Sequence, residues 1–251
     1  MKKKGQVTLF VILAIFIVFA VGGYFLIKPK TQKAPAVDTS PISSSVSGYI
    51  SSCLVKVTEN GVYYLSFIGG NYVENWTSFN VSGVQVPIYL NGKIKTVPSI
   101  KKMQSELNQY MDDNFNSCIE KFNQTNSAYS VHFGTPFFNS TIQDWVNLNL
   151  YDSVSIKWGN QTALLHTFNY KYKFDLLSKY LLVNDFINHQ ANSTYGLSVG
   201  YLNSLAEKNN FTYQIMSLNN ESYVISLIFN ETSQKGLPYI YSFGVNLGGN
   251  K

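Results

Sequence analysis

The strongest pattern in the chain is an unbroken run of apolar residues near its N-terminus. Residues 7–27 are twenty-one positions without a charged side chain. A helix of that length rises about 31 Å, close to the roughly 30 Å thickness of a hydrocarbon core. The run therefore predicts one transmembrane helix in contact with the lipid bilayer. The small residues Ala34-Pro35-Ala36 leave a second interpretation open, a cleaved signal peptide.

A tether and an amphipathic helix are predicted to follow the apolar run. Residues 28–45 contain three prolines among Ser, Thr and Ala, a composition typical of an extended, flexible linker. From Val46 onward, apolar residues recur at steps of three and four, which predicts an amphipathic helix. The dipeptide Gly69-Gly70 is expected to end that helix.

The next two elements are a hairpin and a second helix. Asn91-Gly92 lies between two short β-prone runs within residues 84–97, and this dipeptide is a strong hairpin signal. Pro98-Ser99 then precedes a second amphipathic helix, which is expected to extend to Phe122.

The second half of the domain has the periodicity of strands. Apolar and polar residues alternate from Leu164 to Phe174, and His166 is in step with the aromatic positions, which predicts a half-buried strand with His166 in the core or at its rim. Residues 146–158 are interpreted as a preceding pair of strands. The remaining elements are a helix from the cap residue Asp175 to about Ile187, a helix over 200–208, and strands over 212–218, 223–229 and 239–245.

The order of these elements predicts the fold class. Helices dominate residues 46–122 and strands dominate residues 123–251, with hairpin connections between strands. Such an order is typical of an α+β fold in which helices pack on an antiparallel sheet. The predicted organisation is thus a transmembrane helix, a flexible linker and an extracytoplasmic α+β domain over residues 46–251.

The basic charge of the chain belongs to the region around the apolar run. The net charge is +5, and all nineteen basic residues are Lys. Three lysines lie in the leader 1–6, predicted to be cytoplasmic, and three follow the run. From Ala34 onward, 13 Lys and 14 acidic residues give a net charge of 13 − 14 = −1. Without Arg for bidentate base contacts, and without a basic patch, nucleic acid is not an expected partner.

Cys53 and Cys118 are the only cysteines of the sequence. Both lie on apolar faces of predicted helices, and in an oxidising compartment they are expected to form one disulfide. A bridge over this interval of about 65 residues would contribute roughly 4 kcal/mol in the chain-entropy treatment. Two buried thiols are the alternative. A metal site is disfavoured because no further Cys or His lies at ligand spacing.

Asn-x-Ser/Thr sequons are about twice as frequent as the frequencies of Asn, Ser and Thr predict. Most lie in predicted loops or turns, which favours glycosylation at a subset of them, although an AT-rich coding bias would also raise the number of Asn. Lysines are equal in number on the two sides of the apolar run, so cysteines and sequons decide the orientation and favour an extracytoplasmic C-terminal domain. The candidate acceptors are Asn75, Asn80, Asn123, Asn139, Asn160, Asn192, Asn210, Asn220 and Asn230.

The N-terminal leader carries a resemblance to known proteins. The residues Lys2-Lys3-Lys4-Gly5-Gln6 directly precede the apolar run. This sequence resembles the leader of archaeal prepilin-type proteins, in which a peptidase cuts between Gly5 and Gln6. A plain basic flank before a membrane helix is the alternative. Prepilin-type proteins usually carry Glu at the fifth position after the cut, where this chain has Phe10.

A second resemblance rests on motifs farther along the chain. After the leader come Tyr49-Ile50-Ser51-Ser52-Cys53-Leu54, then Gly69-Gly70, then Cys118. In this order they resemble a class of membrane-anchored proteins from small-genome archaea. The resemblance is diffuse over most of the chain, and it implies no function.

One motif suggests catalysis, but its surroundings do not fit. Gly196-Leu197-Ser198-Val199-Gly200 matches the G-x-S-x-G nucleophile elbow, which requires an apolar strand directly before it. The preceding residues 192–195 are polar, and the three histidines (His132, His166 and His189) all precede Ser198, against the hydrolase order. A turn that begins a helix is the favoured role of Ser198. No catalytic residue, cofactor or metal is therefore predicted.

The favoured hypothesis is a membrane-anchored surface protein with a structural or binding role. Its partners would be the bilayer, through residues 7–27, and another envelope protein, surface protein or glycan. The 18 Tyr, 17 Phe and 3 Trp can fill a sheet or form a surface on which sugars or proteins stack, and the first role is favoured. A pilin-like filament subunit and an envelope hydrolase that uses Ser198 are the alternatives.

Overall fold

The computed structural model describes residues 40–73, 76–122, 129–194, 196–233 and 236–248. Their helices are α1 (Ser40–Phe67), α2 (Ile100–Ile119), α3 (Leu176–Asn192) and α4 (Val199–Asn209), with a 3₁₀ turn at Glu120–Phe122. Their strands are β1 (Ser78–Val81), β2 (Val84–Asn91), β3 (Ile94–Lys95), β4 (Ser130–His132), β5 (Phe137–Ile142), β6 (Val146–Trp158), β7 (Gln161–Tyr172), β8 (Phe211–Ser217), β9 (Ser222–Thr232) and β10 (Pro238–Asn246).

The predicted leader and transmembrane helix lie outside the described residues. Among the helices of the described ranges, none combines the length and the apolar character that crossing a bilayer requires. The predicted linker 28–45 is described only from Ser40, where α1 already begins. This start is six residues before the predicted one, and Pro41 fits it because the first turn of a helix needs no backbone N–H donor at that position.

The larger of two sheets, called sheet A, has the strand order β1-β2-β10-β9-β8, and β3 pairs with β2. All its pairs are antiparallel except β2 with β10, which are parallel. The α+β class is therefore as predicted, but sheet A is mixed rather than antiparallel. Parallel neighbours need a long crossover between them. Here β2 belongs to the first half of the domain and β10 is the last strand, so local sequence patterns carried no sign of the pairing.

The smaller sheet, sheet B, is antiparallel and is organised around the long strand β6. Strand β7 pairs with β6 along nearly its whole length, and β5 and β4 pair with the two halves of its other edge. The prediction of two strands within residues 146–158 is wrong, because this segment is one continuous strand of 13 residues. An irregularity between Tyr151 and Val154 interrupts its pairing with β7.

That irregularity also changes which face the residues of β7 occupy. Phe168 is buried, as the period-two pattern predicted, but Leu164 and His166 are exposed. An extra residue in one strand of a pair shifts the inside–outside phase of the residues beyond it. The prediction of His166 in the core or at its rim is therefore wrong: it lies on the outer face of sheet B.

Helices α1 and α2 are antiparallel and each contributes to two hydrophobic cores. The first half of α1 lies in one core with the second half of α2 and sheet B. Its second half lies in the other core, which also contains residues of the first half of α2, of α3, of α4 and of sheet A. Gly61 lies where the two helices approach, since a Cβ there would be 2.7 Å from Tyr110 Cδ1. This explains how the Asn60-Gly61 dipeptide is accommodated inside α1.

Several local predictions are confirmed. Asp175 caps α3, as predicted, by accepting a hydrogen bond from the Ser178 N–H. Helix α2 begins directly after Pro98-Ser99, also as predicted, and its N-cap is Ser99, which accepts from the Lys102 backbone N–H. The hairpin predicted around Asn91-Gly92 is β2–β3, with Asn91 paired to Ile94 and the tight turn at Gly92-Lys93. The C-terminal helix and the last three strands lie within a few residues of their predicted bounds.

Candidate functional site

The structure contains the predicted disulfide. Cys53 and Cys118 are bonded with a Cα–Cα distance of 5.8 Å. The bridge joins the first half of α1 to the end of α2, and next to it the Tyr49 hydroxyl donates a hydrogen bond to the Cys118 carbonyl oxygen at 2.8 Å. Its position at the helix pair indicates a structural role, because it fixes the antiparallel helices that connect the two cores.

Seven of the nine candidate glycosylation sites lie within the described residues, and all seven asparagines are exposed. Asn160 is in the β6–β7 turn and Asn220 is in the β8–β9 loop, whereas the other five are in strands or at helix ends. Asn75, Asn123, Gly5 and Gln6 lie outside the described residues. Exposure is necessary for glycosylation, and all seven sites meet this condition, but their use as acceptors remains a prediction. The expectation that most sequons lie in loops or turns is wrong for these seven.

Ser198 is the N-cap residue of α4. Its backbone N–H donates to Gln190 Oε1 at 2.7 Å, and its side chain makes no capping hydrogen bond. The residues before it belong to the end of α3 and an irregular loop, whereas a nucleophile elbow needs a strand there. The arrangement is that of a helix start and lacks the context of a catalytic serine.

The histidines do not form a site with Ser198. His132 and His166 are exposed on strands of sheet B. His189 stacks on the ring of Tyr201 at 3.8 Å, and the Tyr201 hydroxyl donates to Asp185 Oδ2 at 3.0 Å. Within the described ranges, no three His, Cys, Asp or Glu side chains are grouped so as to hold a metal ion.

A concavity lies between the end of α1 and the β1–β2 hairpin. We call it the aromatic cleft, and its volume is about 410 Å³. Small-molecule sites in proteins are typically about 300–1,000 Å³ and are mostly apolar. The cleft is lined by Tyr64, Phe67, Ile68, Asn71, Tyr72, Val73, Trp76, Ser78, Gly83, Val84, Gln85 and Pro87.

The turn after α1 brings the chain into the cleft. Gly69 and Gly70 both have positive φ, +60° and +74°, and end the helix as predicted. The Tyr89 hydroxyl, buried in the core of sheet A, donates to the Gly69 carbonyl oxygen and also contacts the Tyr241 hydroxyl at 3.0 Å. The turn is thereby held against sheet A, and the residues that follow it line the cleft.

A buried carboxylate fixes the next part of that wall. Glu106 on α2 is 2% exposed, and its Oε2 accepts hydrogen bonds from the backbone N–H groups of Tyr72 at 2.8 Å and Val73 at 2.7 Å. Its Oε1 pairs with Lys102 Nζ at 2.5 Å. Hydrogen bonds to an ionised acceptor are stronger than neutral ones, so this contact secures the loop to the helix.

Aromatic rings form one side of the cleft. Tyr72 packs edge-on against Tyr64 at 6.0 Å and against Tyr110 at 5.2 Å between ring centroids. Burial, followed by a hydrogen bond to Asp113, raises the pKa of Tyr72. The phenol is therefore neutral at physiological pH, and the cleft offers uncharged aromatic surface on this side.

Two buried polar atoms in the cleft lining are left unsatisfied. Among the described residues, neither Asn71 Oδ1 nor Trp76 Nε1 has a hydrogen-bond partner. Asn71 is 7% exposed, and its Nδ2 donates to the Gly69 carbonyl oxygen at 3.2 Å, which orients the amide. An unsatisfied buried polar group costs about 1–3 kcal/mol, and such groups in native structures call for an explanation.

Sequence reasoning did not single out the residues of this cleft. Asn71, Tyr72 and Trp76 follow a helix end in a segment without periodicity, so no pattern marks them. Glu106 did leave a signal, because it lies between Met103 and Leu107 on the apolar face of α2. A carboxylate at a buried helix position needs a partner, and here the partners are the loop amides.

A second polar cluster lies where α1 meets both sheets. The Tyr170 hydroxyl donates to the buried Glu59 carboxylate at 3.4 Å, and the Tyr172 and Tyr239 hydroxyls are hydrogen-bonded to each other. Burial, with Glu59 next, raises the pKa of Tyr170 to about 12. The hydroxyls satisfy one another and the carboxylate, so this cluster is part of the packing between the two cores.

No protein-family model, curated protein or solved structure matches this chain.

Proposed function

We propose that this chain is a membrane-anchored surface protein whose extracytoplasmic domain binds a ligand in the aromatic cleft. One observation carries the proposal: the buried atoms Asn71 Oδ1 and Trp76 Nε1 lack partners, within the described residues, beside aromatic walls. A concave apolar surface with a few converging polar groups is the usual form of a binding site. The role is therefore recognition of another envelope component.

Three features support the location. The apolar run 7–27 has the length of a membrane span. The Cys53–Cys118 disulfide is of the kind that persists in oxidising compartments. The exposed sequon asparagines fit a surface that meets a glycosylation machinery.

Protease treatment of intact cells tests the location. In cells that make the full chain, added protease should digest the domain while cytoplasmic proteins stay intact, and an alkaline carbonate wash should leave the chain in the membrane pellet. A chain that starts at Ala34 is the matched control and should be released by the wash. Protection of the domain until the cells are lysed would contradict the proposal.

A melting experiment tests binding in the cleft. The purified full chain is mixed with a glycan fraction and a peptide fraction prepared from digested cell envelopes, and we expect one fraction to raise its melting temperature. Trp76→Phe should lose this stabilisation. Trp145→Phe, which changes the Trp next to Lys171, should keep it. No stabilisation by either fraction, or equal loss in both variants, would refute cleft binding.

A pilin-like subunit is the second candidate, because α1 has the place that a pilin's packed helix would have. It is the first described element, it has 28 residues, and it contributes to both cores. Phe10, in place of the usual Glu, opposes this role, as do the three prolines of residues 28–45, which would break a long continuous helix. N-terminal sequencing of the mature chain should give Gln6 first if the leader is processed, and Met1 or Ala34 onward would remove the main support for a pilin.

A further inference from the structure

We propose that the aromatic cleft holds a neutral sugar ring, with one ring hydroxyl bridging Asn71 Oδ1 and Trp76 Nε1. This inference rests on the proposed function and names the ligand class of the same site. Its basis is the chemistry of the two unsatisfied atoms, the absence of charge among the described lining residues and the hydrogen bonds that hold the loop.

The two unsatisfied atoms are complementary to a hydroxyl group. The Asn71 amide is oriented by its Nδ2 contact with the Gly69 carbonyl oxygen, which leaves its buried Oδ1 as an acceptor without a partner among the described residues. The indole Nε1 of Trp76 can only donate. A hydroxyl donates one hydrogen bond and accepts others, so a single hydroxyl can satisfy both atoms, whereas a lone carbonyl or a lone ammonium group satisfies only one.

The charge of the cleft favours a neutral ligand. None of the described residues that line it carries a charge. The Nζ of Lys102 lies 5.9 Å from the centre of the Trp76 ring and is paired with Glu106. Within the described part of the lining, an anionic ligand would thus find no free cation, and a cationic ligand would find no free carboxylate.

The walls of the cleft suit the apolar faces of a ring. Tyr64, Phe67 and Trp76 present aromatic surface to the cavity, and Tyr64 is 42% exposed. The C–H faces of a sugar ring pack on aromatic rings, and its hydroxyls lie at the edge of the ring. This combination of an apolar body and a polar rim matches the lining of the cleft. The volume of about 410 Å³ is that of a small-ligand site.

The cleft is held in shape before any ligand arrives. Glu106 bonds the backbone of Tyr72 and Val73, and the Tyr89 hydroxyl holds the Gly69 carbonyl. Less conformational entropy is lost on binding when the site is ordered in advance. A rigid groove selects for ring shape, and its unsatisfied side-chain atoms favour a sugar over a peptide strand, which would use backbone groups of β1.

NMR spectra of the Trp indole N–H groups in the native full chain test the inference. The chain is labelled with ¹⁵N at its three Trp and kept in a detergent with a phosphocholine head group, so that no detergent sugar competes. Maltotetraose, mannotetraose and chitotetraose are the neutral probes, trigalacturonate is the acidic probe, and an uncharged Val/Thr-rich octapeptide is the peptide probe. We expect at least one neutral sugar to shift the Trp76 indole signal and to leave those of Trp145 and Trp158 in place.

Two variants then measure how much the Trp76 N–H group contributes to sugar binding. Trp76→Phe keeps an aromatic ring and removes the N–H donor, and we expect about a tenfold or larger increase in the Kd of the neutral sugar. Trp145→Phe should stay within about twofold of the native value. The resonance measurement uses the native chain, so it remains decisive even where Trp76→Phe fails to fold.

The possible outcomes separate the inference from the proposed function. A Trp76 shift with the octapeptide alone, or a stronger shift with trigalacturonate, would overturn the neutral-sugar inference and leave cleft binding intact. If no probe moves the Trp76 signal and neither envelope fraction stabilises the chain, both proposals fall. A neutral-sugar shift that is lost in Trp76→Phe supports both.

Discussion

Gly69 is the residue where backbone conformation and packing are both most restrictive. Its φ is +60°, and an added Cβ would lie 2.5 Å from the Ser242 carbonyl oxygen. The contact is with backbone, which cannot rotate away as a flexible side chain can. Its own carbonyl accepts from both Tyr89 and Asn71, so a shift at this residue reaches the cleft.

Gly69→Ala is expected to lower the free energy of unfolding by at least about 2 kcal/mol, since a left-handed conformation alone costs an L-residue about 1–2 kcal/mol. Gly48→Ala is the control: Gly48 lies in α1 with nothing within 4 Å of an added Cβ, and Ala should stabilise the helix there by up to about 1 kcal/mol. Urea denaturation measures both. Equal effects of the two changes would argue against the turn geometry.

Asp152 is a buried carboxyl inside the irregular part of β6. Its Oδ1 accepts from the Gly134 N–H at 3.0 Å, and within the described residues its Oδ2 has no partner. Burial raises the pKa of Asp152, although backbone hydrogen bonds from Gly134 and Ser153 act in the opposite direction. The folded state therefore binds a proton at this group more tightly than the unfolded state does.

This pKa shift predicts a pH dependence of stability. Because the pKa of Asp152 is higher in the folded state, its contribution to the free energy of unfolding increases as the pH falls through that pKa. The contribution is complete below about 3.9, the ordinary pKa of Asp. Asp152→Asn cannot titrate there, so the native chain should gain stability relative to the variant on going from pH 7 to pH 3.5. Urea denaturation at four pH values measures the difference, and a difference that is constant with pH would contradict the prediction.

At the scale of elements, the antiparallel pair α1 and α2 both stabilises the fold and positions the cleft. The disulfide closes the first half of the pair, and Glu106 secures the loop after α1 to α2. Both helices were predicted, since their three- and four-residue periodicity is strong. Their pairing with two different sheets was not, because periodicity shows which face is buried and leaves the partner undefined.

Removal of the disulfide is expected to cost about 4 kcal/mol, because a closed interval of 65 residues restricts the unfolded chain. Reductant should lower the urea midpoint of the native chain and leave the Cys53→Ala/Cys118→Ala chain unchanged. That double variant should unfold at about the midpoint of the reduced native chain. If reductant leaves the urea midpoint of the native chain unchanged, the bridge contributes little to stability.

At the scale of the whole molecule, the two cores are connected by the helices they share. Val62 of α1 lies in the core under sheet A, and Ile50 of the same helix lies in the core under sheet B. Strand β2, from the first half of the domain, completes sheet A beside the last strand. The helical first part and the mostly β second part named from the sequence are therefore parts of one folded unit.

We expect the domain to unfold in one cooperative transition. Leu150→Ala in the sheet B core and Ile225→Ala in the sheet A core should each cost about 2–5 kcal/mol, because both side chains are fully buried. Two chains, one with Trp76 as its single Trp and one with Trp158, should report the same midpoint in each variant, since coincident probes indicate two-state unfolding. Separate midpoints for the two probes would show that the cores unfold independently.

The sequence by itself determined the local elements of this protein. Ser99, Asp175 and Gly69-Gly70 mark helix ends through interactions between residues near in the chain, and alternation marks the C-terminal strands. These signals depend only on which residues are close to one another along the chain, and the sequence contains that information in full. The apolar run, the cysteine pair and the sequons likewise follow from the residues alone.

Tertiary structure decided the parallel pairing of β2 with β10, the phase change that exposes His166, and the aromatic cleft. Each depends on contacts between distant segments, as when Glu106 meets Tyr72 or Tyr89 meets Gly69. Burial and hydrogen-bond satisfaction are properties of the assembled molecule. The unsatisfied atoms of Asn71 and Trp76, on which the proposed function depends, therefore become recognisable only once the chain is folded.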